Sequence, residues 1–168
     1  MKIYFLVIPV IIGILFGVLI IGNQEDLGTS SMVLNKENLL EGSTILGNPD
    51  AKISIVEFGD YQCTFCYKFH QDTLNDIQIN FIDSGKVNYV YRDFPLNGYD
   101  SVLASEATYC ANEQGDYWGY HNVLFDNWAG EKTGWINMGS LTEFAAKLGL
   151  NIVEFENCLN SHKYYQKV

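Results

Sequence analysis

The sequence predicts an α/β domain behind an apolar N-terminal segment. Two short runs rich in β-branched and aromatic residues, 52–58 and 86–92, have the profile of buried strands. Between them Phe65, Phe69, Leu74, Ile77 and Phe81 recur at helical spacing, and from Tyr99 onward the pattern is helical again. The order is strand, helix, strand, then four helices.

The chain's 168 residues suit one domain plus a modest appendage. Apolar residues at 48% against 18% charged suffice for a core and argue against general disorder. Ten Lys and Arg against twenty Asp and Glu leave a net charge of −10, which repels a polyanion and disfavours nucleic acid as a partner.

Residues 3–22 carry no charge. As a helix, about twenty residues span the ~30 Å hydrocarbon core of a bilayer. Lys2 precedes the run and Gln24-Glu25-Asp26 follow it, so the remainder is expected outside the cytoplasm. Residues 1–22 thus read as a transmembrane anchor, with a cleaved signal as the alternative; no clear small-x-small cleavage site is present. Either route places the cysteines where disulfides persist. Residues 23–44 are polar and mixed and read as a linker, with the domain proper at 45–168.

Gly47-Asn48-Pro49-Asp50 is turn chemistry. The strand from Lys52 to Phe58 follows, closed by Gly59-Asp60, then a helix from Cys63 to about Phe81 and a strand from Lys86 to Arg92. Tyr99–Gln114 and the aromatic-rich Tyr117–Trp128 are helical. Ser140-Leu-Thr-Glu143 and Asn151-Ile-Val-Glu154 each fit a capping box, with Gly149 at a helix end between them.

Cys63-Thr64-Phe65-Cys66 sits where the first strand hands over to a helix. Unpaired amides and the helix dipole favour negative charge there, which makes Cys63 the expected nucleophile and better leaving group. Cys66, one turn on, is placed to close the ring or resolve a mixed disulfide. Zinc is the competing use of such a pair: His70 would give Cys-x2-Cys-x3-His, with Asp60 or Glu57 as a fourth ligand, but no second Cys-x2-Cys follows. A purely structural 63–66 bridge would close too short a loop to stabilise much. Cys110 and Cys158 stand apart from the pair and read as either a staple or two buried thiols.

The segment Ile55-Val-Glu-Phe-Gly-Asp-Tyr-Gln-Cys-Thr-Phe-Cys-Tyr-Lys-Phe69 resembles the active-site segment of DsbA-like thiol–disulfide oxidoreductases of the thioredoxin superfamily. Further matching blocks are Gly47–Ala51, Tyr91-Arg-Asp-Phe-Pro-Leu96, Cys110–Phe125 and Leu148–Leu159. The resemblance implies a thioredoxin-like fold with a helical insert at about 97–165. It casts Cys63 as the attacking cysteine, Cys66 as the resolving one and Glu57 as a buried acid that assists proton movement. Thr64 and Phe65 would tune the redox potential. Cys110 and Cys158 would form a second, structural disulfide, whose long loop gives roughly 4 kcal/mol on a chain-entropy argument. His121, Tyr117, Trp118, Tyr120 and Phe125 are expected to pack the insert.

The same resemblance implies a C-terminal β-hairpin, opened by a cis-proline, and a final helix that the sequence lacks. Its prolines are Pro9, Pro49 and Pro95. The expectation is therefore an incomplete thioredoxin-like domain.

The function expected is a membrane-anchored, extracytoplasmic enzyme exchanging disulfides with cysteine-containing exported proteins, its pair recharged by a membrane redox partner. No cofactor or metal enters this reading. A non-catalytic remnant or binding module, or an exported metal-binding protein, is the alternative.

Overall fold

The computed structural model describes residues 39–168; the expected anchor and most of the expected linker lie outside the described residues. Strands β1 (Ile45–Gly47), β2 (Ile53–Gly59) and β3 (Val87–Asp93) form a sheet in the order β1-β3-β2. β3 is central, with β1 antiparallel and β2 parallel to it, and Val87, Asn88, Tyr89, Val90 and Tyr91 are all buried. Burial on both faces explains why this strand reads as an apolar run rather than an alternation. β2 and β3 lie within one residue of the sequence expectation. β1 leaves no mark in the sequence: three residues give no periodicity, and pairing of Leu46 with Tyr89 holds it in place.

Part of the expected linker is tied to the sheet. Arg92 donates from Nη2 to the carbonyls of Leu39 and Glu41, both at 2.8 Å. Buried Asn88 donates to the carbonyls of Asn48 and Pro49 and fixes the turn between β1 and β2.

The helix after the cysteine pair is continuous but uneven. α1 (Thr64–Phe69) passes through a π-helical turn, His70–Leu74, into α2 (Asn75–Ile77) and a second π turn, Gln78–Ile82. Each π turn shifts the helical face. Leu74 and Ile82 are buried whereas Phe65 is 78% exposed, so the regular spacing from Phe65 to Phe81 does not mark one buried stripe.

The helical region comprises α3 (Tyr99–Asn112), α4 (Tyr117–Asp126), α5 (Met138–Lys147) and α6 (Ile152–Asn160). α3 packs on each of the other three. The α5 cap corrects the sequence reading: the helix begins earlier, at Asn137, whose side chain accepts from Ser140 N while Ser140 Oγ accepts from Asn137 N. Ser140 thus closes a capping box at position N3 and does not open one. Asn151 does cap α6, accepting from Val153 N and Glu154 N. Gly149, at φ +73°, closes α5 where a side chain would be strained.

An aromatic cluster joins sheet to helices. Tyr61 packs against Tyr91, His121 and Phe125 with ring centres 5.0–5.5 Å apart. His121 is fully buried on α4 with Nδ1 3.0 Å from Tyr61 Oη, and burial pushes its imidazole well below the ordinary range. The folded chain therefore keeps His121 neutral where the unfolded chain would bind a proton. Its contribution to stability is complete above the ordinary histidine value near 6.5 and falls away as the pH drops below it. Asp93, raised by burial, acts with the opposite sign, so the test is a difference. Urea unfolding at pH 7 and pH 5 is expected to show a smaller acid-induced loss for His121→Gln than for the unsubstituted chain. Equal losses would refute the assignment.

Candidate active site

Gly59 ends β2 beneath the ring of Tyr91, in space that a Cβ would have to share. The next three residues are buried: Asp60, Tyr61 and Gln62. Asp60 ties the turn together. Its Oδ1 accepts from Gln62 N and Ser101 Oγ, each at 2.7 Å, and its Oδ2 accepts from Asn97 N at 2.7 Å. Its carbonyl accepts from Cys63 N at 3.0 Å. Asp60 is therefore a buried organiser of the turn.

The turn delivers Cys63 as the N-cap of α1, with extended backbone (φ −65°, ψ 126°) and its carbonyl accepting from Tyr67 N. Cys63 and Cys66 are free thiols and both are half-buried. Cys66 sits against Glu57, and burial first, then the neighbouring Cys63 and Glu57, push its thiol up to about 12.

Glu57 comes from β2. In the parallel register Ile55 and Glu57 face Tyr89 and Tyr91, so all four project to one side of the sheet. Tyr89 Oη donates to Glu57 Oε2 in a close contact. Burial raises the Glu57 carboxyl above its usual range, and the hydrogen bonds from Tyr89 and Cys66 partly offset that. Such a carboxylate is a better base than an exposed one and touches the thiol that needs one. Ile55, Glu57, Cys66, Phe65 and Phe69 line an open, mostly apolar groove of about 380 Å³ beside the pair.

Thr64 and Phe65 lie between the cysteines, and Phe65 projects into solvent. His70, stacked on Phe125 at 4.9 Å and 4.0 Å from Asp126, belongs to the aromatic cluster. Among the described residues no group of three or more His, Cys, Asp and Glu is arranged to hold a metal. Cys110 on α3 and Cys158 on α6 are joined by a disulfide, far along the chain from the free pair.

Several site residues gave no signal in the sequence. Gln62 donates from Nε2 to Ser101 Oγ and accepts at Oε1 from Lys132 N, both at 2.8 Å. Trp128 donates from Nε1 to Gln62 O at 2.9 Å and stacks on Tyr67 at 4.5 Å. Glu131 accepts from Thr64 N at 2.9 Å, across 67 residues. These contacts fold the segment after α4 onto the start of the cysteine helix.

Comparison with known proteins agrees with this architecture. The thioredoxin family model matches residues 39–168. The chain belongs to the thioredoxin family. Within it, the chain is similar to disulfide bond formation protein D of Bacillus subtilis, 33% identical over 109 residues, covering 63% of this chain and 49% of that protein. A probable disulfide bond formation protein D of Bacillus anthracis is 27% identical over 154 residues, covering 89% of this chain and 68% of that one. The crystal structure of oxidised BdbD from Bacillus subtilis superposes with a TM-score of 0.72 at 30% identity, covering 77% of this chain and 71% of that one. That of Wolbachia pipientis alpha-DsbA1 gives 0.66, also at 30%, covering 76% and 64%. The fold of this thioredoxin-family chain is thus thioredoxin-like with a helical insertion, of the DsbA type. The chain spans about half the length of the Bacillus subtilis relative. Among the described residues no helix is long and apolar enough to cross a membrane; the span expected at 3–22 is not among them.

Proposed function

We propose that this chain is a thiol–disulfide oxidoreductase acting on cysteine-containing exported proteins outside the cytoplasmic membrane, held there by residues 3–22. The observation that carries the reading is the contact between Glu57 and the high-pKa thiol of Cys66, one turn from Cys63 at the start of a helix.

In the oxidising direction the pair begins as a disulfide. A substrate thiolate attacks Cys63 Sγ, the Cys63–Cys66 bond breaks, and Cys66 leaves and takes a proton from the Glu57 carboxyl. The substrate's second thiolate then attacks its own sulfur in the mixed disulfide and expels Cys63. The substrate pair gives its two thiol protons to solvent and two electrons to the Cys63–Cys66 pair. Cys66 keeps the proton from Glu57, Glu57 regains one from solvent, and Cys63 leaves as a thiolate that exchanges its proton with solvent. A membrane redox partner recharges the pair; the reverse sequence reduces substrate. Thr64 and Phe65 set the potential through the amides and surface they present, and the Cys110–Cys158 bridge is structural.

Two outcomes test the reading. Intact mass after acid quench and alkylation should show Cys63 and Cys66 passing together between disulfide and dithiol in glutathione buffers; inert thiols would refute it. Glu57→Gln should slow closure of the mixed disulfide about 100-fold at pH 7, the range for loss of a general base. Cys66 is then mostly protonated, so the closure rate should climb about tenfold per pH unit until hydroxide replaces the lost base. Tyr89→Phe, which removes a donor to Glu57, should slow it less. A pH-independent closure rate in Glu57→Gln would exclude a proton role for Glu57.

A further inference from the structure

Glu131 lies on a loop between α4 and α5, near Gly130 and Gly134 at positive φ and Lys132 at φ +56°. Trp128 and Lys132 hold that loop to Gln62 on either side of it. The loop is therefore built to place residue 131 at the start of α1, and its carboxylate takes the Thr64 amide at 2.9 Å. The hydrogen bond from Thr64 keeps this exposed carboxyl below its usual range, so it is charged at neutral pH.

We infer that Glu131 is a positioning residue that restrains the oxidising power of the Cys63–Cys66 couple by occupying, with a negative charge, the helix-start amide next to Cys63. The physics is a competition. A helix N-terminus stabilises one nearby anion through its free amides and dipole. Here the Thr64 amide is already given to a carboxylate. That carboxylate then holds its charge on the amide of the residue after Cys63, where it opposes negative charge on the Cys63 sulfur of the reduced pair. A reduced form so disfavoured makes a weaker oxidant, because the potential rises with the stability of the reduced form. The inference rests on the oxidoreductase reading and adds to it a residue outside the cysteine motif.

The test uses the full chain and glutathione, where two GSH and the Cys63–Cys66 disulfide give GSSG and two thiols. Glu131→Gln keeps an acceptor for Thr64 N and removes only the charge. It should shift this equilibrium toward the dithiol by about three- to tenfold, the scale of one partly screened charge. Tenfold corresponds to about 30 mV. The pH profile of Cys63 alkylation should move to lower pH in the same variant. Glu131→Ala should shift both at least as far, while Glu143→Gln, which removes an equal charge on α5, should shift neither. Glu131→Gln with the equilibrium and alkylation profile of the unsubstituted chain would overturn the inference, as would Glu131→Ala that loses thermal stability and leaves both readouts unmoved. If the unsubstituted chain does not exchange with glutathione at all, the oxidoreductase reading itself has failed.

Discussion

Cys63→Ser is expected to reduce disulfide exchange to the uncatalysed background, whereas Cys66→Ser should halt the reaction half-way. The asymmetry follows from position. Cys63 is the N-cap residue of α1, and Cys66 lies one turn on, against Glu57, its thiol holding a proton up to about 12. At neutral pH Cys66 keeps its proton and is the poorer nucleophile, which leaves Cys63 to meet an incoming disulfide. Without Cys66 the mixed disulfide has no internal thiol to release it. Cys66→Ser mixed with a disulfide-bonded peptide should therefore accumulate a covalent adduct of chain plus peptide, visible by intact mass and removed by dithiothreitol. The unsubstituted chain should show that adduct only transiently, and Cys63→Ser should show none. Adducts of equal yield on both variants would mean that the two thiols are interchangeable, and the ordered mechanism would be wrong.

Much of this site is legible in the sequence because its parts are local. A β-rich strand (half-buried at the sheet edge rather than buried as its apolar run predicts), a tight turn and a helix opening with two cysteines lie within about twenty residues, and each leaves a pattern of period or spacing. Glu57 is visible for the same reason, as a carboxylate inside an apolar run. What sequence cannot supply is the long-range closure. The Asp60–Ser101–Gln62 bonds, the stack of Trp128 on Tyr67 and the seat of Glu131 on Thr64 each join residues about 40 to 67 apart. No periodicity encodes such a pairing. Boundaries fail for a different reason. Both Asn137 and Ser140 are good caps, and only the fold decides that Asn137 begins α5 while Ser140 serves it from within. The two π turns after Phe69 are likewise silent, because one inserted residue per turn leaves the composition of a helix intact.

Loss of the Cys110–Cys158 bridge is expected to be the largest purely structural effect. The two cysteines are 48 residues apart, and a closed loop of that size restrains the unfolded chain by about 4 kcal/mol. Both sulfurs are nearly buried where α3 meets α6, so the bond also fixes a packed seam. The seam carries further ties: Lys163 Nζ lies 2.5 Å from Glu113, Tyr164 Oη donates to Glu113 at 2.6 Å, and His162 reaches buried Glu106 at 3.0 Å. Those contacts are exposed on at least one side and are worth little singly; without the bridge the last helix would rest on them and on its buried Phe155 and Leu159. Cys110→Ala with Cys158→Ala should lower the melting temperature by about 8–16 °C for a chain of this size. The glutathione equilibrium of Cys63 and Cys66 should stay unchanged at 25 °C, since the bridge touches neither sulfur nor the Asp60 turn. A doubly substituted chain that melts at the original temperature would show that packing alone holds α6. One whose Cys63–Cys66 equilibrium moves would show instead that the second disulfide communicates with the first, and that the two pairs form one redox system.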